Sequence, residues 1–140
     1  TPRTGALTDS RTGATSTDRV MAYRIDHGGR SVVYATDVEP YRCIDPALVR
    51  LAEGADVLIH DAQYTPDEYP ARVGWGHSSL SATVGVALRA AVKSLALFHH
   101  DPMHTDEVVA EMLEKANRVI AAQQSAVRCF AAAEGLAIEV

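Results

Sequence analysis

The feature that most constrains this chain is where its polar residues stand relative to its apolar runs. Three short runs suited to β-strands each end in acids or histidines. Ser31–Thr36 leads into Asp37, Val57–Ile59 into His60-Asp61, and Leu95–Phe98 into His99-His100-Asp101. Helix signals lie between and after these runs. Asp45-Pro46 offers a capping carboxylate and then a proline at the first helical position, with Leu48, Leu51 and Ala52 on one face and Gly54 as a left-handed end. Ser78 or Ser79 opens a second helix that ends near Lys93, with Leu80, Val84, Leu88 and Ala91 as its stripe. Thr105 caps a third, with Asp106 and Glu107 where the helix dipole favours them. Its expected buried face is Val108, Val109, Met112, Leu113, Ala116, Val119 and Ile120.

Strands alternating with helices imply an α/β layer with parallel neighbours, and continuous apolar strands suit a sheet covered by helices. In such sheets the ligand crevice lies outside the carboxyl ends of the strands. A single Asp after a strand reads most simply as a cap or loop residue. Three strand ends together point to a metal or acid/base site.

Upstream, Val20–Ile25 and Ser31–Thr36 flank Asp26-His27-Gly28-Gly29-Arg30, where Gly-Gly supplies the positive φ of a tight turn. This predicts an antiparallel hairpin. Residues 1–18 read as a disordered or extended arm, because Leu7 is their one large apolar side chain and they bury too little to offset ordering entropy. Residues 19–140 read as the folded unit, with Leu136–Val140 as a last short strand.

The length of 140 residues suits one domain, and 47% hydrophobic with 22% charged residues is globular composition. No apolar run approaches the ~18 residues of a membrane span, and no signal-peptide pattern is visible. Cys43 and Cys129 fit no metal or disulfide framework, so a cytoplasmic setting is expected. The net charge of −5 argues against a strongly basic nucleic-acid binder.

The loop Gly74-Trp75-Gly76-His77-Ser78-Ser79 enters the second helix at its N-terminus, where free N–H groups favour an anion. His77 reads either as a proton donor to a phosphate or leaving group, or as part of the helix cap. Trp75 and Tyr64 read as pocket aromatics or as ordinary packing. His27 reads as a solvated turn residue, His104 as part of the loop before Thr105, and His100 as turned away from the side that His99 faces.

Tyr34-Ala-Thr-Asp37, Leu58-Ile-His-Asp61-Ala-Gln-Tyr64, Gly74-Trp-Gly-His77-Ser-Ser and Leu97-Phe-His99-His100-Asp-Pro together resemble the C-terminal half of the metallo-β-lactamase superfamily. The likeness is to its phosphodiesterase branch, with ribonuclease Z and the phosphonate-pathway cyclic phosphodiesterases as relatives, and runs from about Val20 to about Glu107. The resemblance implies half of a four-layer αββα sandwich around two divalent metal ions, zinc or manganese. It implies metal binding by Asp37, as a bridging carboxylate, and by His99. It also implies a catalytic His77 oriented by Asp61, with Ser78 and Trp75 at the substrate. Two such metals, ~3.5–4 Å apart, can polarise a phosphoryl oxygen and activate a water.

The chain departs from the family in lacking His-x-His-x-Asp-His among its six histidines, and Thr15–Arg19 holds no His. It therefore reads as half of a metal-dependent hydrolase of phosphodiesters or related esters, inactive in isolation and binding metal weakly or partially. The alternative is a truncated or degenerate non-catalytic module acting by association. The partners expected are a small phosphoester, and either a second copy or a missing N-terminal half. Large nucleic acid is expected to be unlikely, since Asp61–His77 holds only Arg72 as a cation. A phosphoacceptor receiver domain fits poorly, because Lys93 precedes Leu95–Phe98 instead of following it.

Overall fold

The computed structural model describes residues 7–8, 15–16, 20–40 and 43–140. Two short strands, β1 (Leu7–Thr8) and β2 (Thr15–Ser16), pair antiparallel. The rest of the arm expected over 1–18 lies outside the described residues. The main sheet comprises β3 (Tyr23–His27), β4 (Arg30–Ala35), β5 (Val57–Asp61), β6 (Ser94–Phe98) and β7 (Arg128–Ala131), in that spatial order.

The β3–β4 pair is the hairpin expected from Gly28-Gly29, whose φ values of 57° and 76° match a turn with two left-handed centres. From β4 onward every pairing is parallel. The connections are α1 (Pro46–Ala52), α2 (Leu80–Ala90) and α3 (Asp106–Ala122). Each crossover steps the same way along the sheet. Right-handed connections then place the helices side by side on one face, and α2 packs between α1 and α3.

The core lies between that face and the helices. Val33, Leu58, Leu95 and Leu97 are fully buried beneath Val84, Ala87, Met112, Ala116 and Ile120. Each such leucine contributes on the order of 2 kcal/mol through burial. The helix caps follow local chemistry. The carboxylate of Asp45 accepts from Ala47 N–H, Ser79 Oγ from Ala82 N–H and Thr105 Oγ1 from Val108 N–H.

Three expectations need correction. Leu136–Val140 forms no strand. The sheet ends instead at Arg128–Ala131, which pairs parallel with β6, while Leu136, Ile138 and Val140 stay exposed. Helix α2 stops at the left-handed Ala91 (φ 50°), short of Lys93, so Ala91 does not extend the apolar stripe. Val119 is 47% exposed, outside the buried face of α3.

The other sheet face is apolar and carries no helix among the described residues. Tyr23, Ile25 and Tyr34 are exposed on it, and Tyr34 meets Phe98 edge-on at 5.9 Å. Val33 and Leu58 point the other way, into the helix-covered core, whereas Val57 alternates with Leu58 and stands on the Tyr34 side, itself buried. Among the described residues no helix is long and apolar enough to cross a membrane.

Candidate metal centre

The carboxyl ends of β4, β5 and β6 meet beneath the segment that links β5 to α2. Asp61, the last residue of β5, has no exposed surface. Its Oδ1 accepts the N–H groups of Gln63 (3.2 Å) and Ser78 (3.1 Å). Its Oδ2 accepts the N–H of Asp37 (3.0 Å) and lies 2.8 Å from His77 Nδ1. Two donors on each oxygen satisfy a buried carboxylate that would otherwise be costly. The same contacts tie the end of β4, the start of the loop and its return to one point. The Asp61 carbonyl is held in turn by the Thr83 hydroxyl and by His60 Nδ1.

Because Asp61 holds His77 by Nδ1, Nε2 is the ring nitrogen left for chemistry. His99 is arranged alike. Its Nδ1 lies 3.0 Å from Gln63 Oε1, and its Nε2 lies 3.5 Å from Asp37 Oδ1. The two imidazoles stack with centroids 4.7 Å apart. One ligand atom from each of Asp37, His77 and His99 lies within 4.8 Å of the other two. Three nitrogen and oxygen donors on one spot, two of them on rings fixed from behind, fit a divalent cation. Asp37 is 61% exposed along its side chain, so the centre opens to solvent on that side.

The backbone also bears the mark of a site. Asp37 and His99 adopt positive φ, 53° and 57°. Such conformations cost about 1 kcal/mol or more outside glycine and gather where function over-determines them. They turn the chain back towards the shared centre two residues past β4 and one residue past β6.

The structure thus brings Asp37, Asp61, His77 and His99 together. Ser78, expected at the substrate, is not there. It is fully buried, its hydroxyl donates to the Val38 carbonyl and its N–H to Asp61, so nothing polar is left for a ligand. Ser79 is the helix cap, which frees His77 from that role. Trp75 is 57% exposed on the outer side of the loop, with the Arg72 guanidinium 4.5 Å over its ring. Tyr64 is buried as packing, and burial, with the Asp101 charge adding to it, pushes its phenol up. His100 turns to the Ala132 carbonyl, and His104 to Glu68. His60 lies in the core, where burial holds it below the usual histidine range.

Sequence reasoning missed two residues. Gln63 fixes His99, and its Nε2 reaches Tyr64 Oη at 3.4 Å. Glu39 binds the glycine loop. Gln63 lies in the Leu58–Tyr64 motif, two residues past Asp61, and its amide there is the one sequence signal of a partner for a histidine.

A family model described as the beta-lactamase superfamily domain matches residues 3–100. The chain belongs to the metallo-β-lactamase superfamily, in its ribonuclease Z-like branch. It is 33% identical over 102 residues to ribonuclease Z of Brevibacillus brevis, covering 70% of this chain and 31% of that protein. It is 34% identical over 97 residues to ribonuclease Z of Saccharolobus solfataricus, covering 69% and 31%. Its fold is similar to that of the metallo-beta-lactamase fold protein YhfI from Bacillus subtilis. There the TM-score is 0.60 at 20% identity, over 88% of this chain and 44% of that one. The chain spans about a third of the length of the curated relatives it matches.

These relatives overturn the expectation that large nucleic acid is an unlikely partner and a small phosphoester the better one, since the similar proteins are ribonucleases. The error was physical. A net charge of −5 over a third of such a protein's length says little about where the whole would place its cations.

Proposed function

We propose that this chain carries part of the metal centre of a phosphodiester hydrolase acting on RNA. The observation that carries the reading is the convergence of Asp37, His77 and His99, with both imidazoles held from behind by Asp61 and Gln63. The ribonuclease relatives support RNA as the substrate class. Histidine and carboxylate donors suit zinc or manganese. A divalent cation held there would polarise a phosphoryl oxygen and lower the pKa of a bound water.

Asp37 and His99 are the ligands in this reading. His77 is either a third ligand or, through Nε2, the proton donor to the leaving oxygen. Asp61 fixes its tautomer and stabilises the charged ring. The family's His-x-His-x-Asp-His motif is absent from these 140 residues, so residues 1–140 alone bind a cation weakly and do not turn over. The same absence favours the second reading, a non-catalytic module. The unpaired thiols suit the reducing cytoplasm.

Calorimetric titration of residues 1–140 with zinc tests the centre. One cation is expected to bind, with affinity lowered at least about tenfold in His99→Ala. Tight binding indifferent to His99→Ala would place the site elsewhere. Zinc- or manganese-dependent hydrolysis of a chromogenic phosphodiester by residues 1–140, abolished in Asp37→Ala, would show that the absent motif is not needed.

A further inference from the structure

Glu39 follows Asp37 by two residues, on the segment that leaves β4. Its Oε1 accepts the Tyr69 hydroxyl at 2.9 Å and the Gly74 N–H at 2.7 Å, and its Oε2 accepts the Gly76 N–H at 2.7 Å. Gly74 and Gly76 adopt φ values of 91° and 89°, accessible at low cost only without a Cβ. These two turns aim alternate N–H groups at the same carboxylate and leave Trp75 outside. The Ser78 hydroxyl then binds the carbonyl of Val38, the residue before Glu39. Residues 38–39 therefore grip both sides of His77.

We propose that Glu39 is a positioning residue for the metal centre, a role that rests on the metal-centre reading above. Its carboxylate ties the loop bearing His77 to the segment bearing Asp37, and so fixes the separation of two of the three donors. Charge-assisted bonds of this length are the strong kind, and three on one carboxylate define the loop's path. Asp61 anchors His77 from below, while Glu39 stops the loop from tilting away above it. A neutral amide cannot replace Glu39. Glu39→Gln would turn an NH2 group towards at least one of the N–H donors.

The test uses Glu39→Gln with two readouts, both taken where thermal unfolding shows the fold intact. In the metal-free protein, NMR records the His77 ring protons, which feel the ring current of the stacked His99 4.7 Å away. Calorimetry records zinc affinity. The expected result is loss of the ring-current shift and about a tenfold weaker zinc affinity, the size of effect typical for groups that orient ligands. Tyr69→Phe, which removes one donor from the three, is expected to move the His77 signals the same way by less. It also serves as the test if Glu39→Gln does not fold.

An unchanged His77 ring in Glu39→Gln, or in Tyr69→Phe where that variant stands in, overturns the proposal whatever zinc does. A displaced ring with unchanged zinc affinity overturns it too, leaving Glu39 a purely structural anchor. If the wild-type chain binds no zinc while the ring shift is lost in Glu39→Gln, the metal reading fails and the positioning of His77 by Glu39 stands.

Discussion

His99 Nε2 lies 3.5 Å from Asp37 Oδ1, and both residues hold left-handed backbone. The pair faces one centre because each strand turns sharply just past its end. The strain and the site can therefore be separated by substitution. Asp37→Gly removes the carboxylate and the backbone strain, whereas Asp37→Ala removes the carboxylate alone. Urea unfolding is expected to find the glycine variant about 1 kcal/mol more stable than the alanine variant, with zinc binding lost in both. Equal stabilities would mean that φ at residue 37 carries no strain.

Asp61→Asn tests the four-donor hub. Each carboxylate oxygen serves two donors, so an amide NH2 confronts an N–H whichever way it turns. The least costly arrangement points the NH2 at His77, which then accepts through Nδ1 and carries its proton on Nε2. The Asp37 N–H is left unpaired. A loss of about 2 kcal/mol is expected in urea unfolding, and the Nε2 lone pair of His77 is no longer free to meet a cation or take up a proton. Nitrogen-15 NMR of His77 reads the tautomer directly, and a ring still protonated on Nδ1 would refute this.

Acid stability should report on Asp56. Lys93 Nζ at 2.7 Å and the Ser31 N–H at 2.9 Å hold its carboxyl down to about 2 from an ordinary 3.8. A depressed carboxyl pKa stabilises the fold fully above the unfolded value and stops doing so as pH falls through the folded value. Stability is expected to drop between about pH 4 and pH 2, with a shallower drop in Lys93→Met. Identical slopes in the two proteins would mean that Lys93 does not hold the carboxyl down.

The two thiols should separate kinetically. Cys43 is exposed, whereas burial pushes the Cys129 thiol up to about 12. A disulfide reagent at pH 8 is expected to titrate one thiol in native protein and two in denaturant, because the thiolate is the attacking species. Two fast equivalents without denaturant would show that Cys129 is reached.

Features written in short-range chemistry were legible in the sequence. Gly28-Gly29, Asp45-Pro46 and Thr105 each determine a turn or cap within four residues, and Asp37, Asp61 and His99 stand at ends of recognisable strands. What escaped depends on distant partners. Glu39 meets Gly74 and Gly76 across thirty-five residues or more, and Gln63 meets His99 across thirty-six. Leu136-Ala-Ile-Glu-Val140 alternates as a strand should, yet Arg128–Ala131 takes the sheet edge, since pairing is decided by which segment α3 returns to β6. The end of α2 at Ala91 was hidden because a left-handed alanine carries no glycine to announce it.

The base of the loop after β5 is closed twice. Tyr64 bridges Ser79, with its N–H on the Ser78 carbonyl and its own carbonyl accepting from Leu80, and Asp61 holds Gln63 and Ser78 just inside. Its two ends are therefore pinned to the sheet by contacts that use no side chain of residues 65–73. Changes within residues 65–73 that spare Tyr69, which binds Glu39, leave those closing contacts in place. Arg72 stands on that adjustable stretch, whereas Trp75 stands between the two glycines that Glu39 holds, so the rim of the centre can be remodelled up to residue 73 without moving the donors behind it.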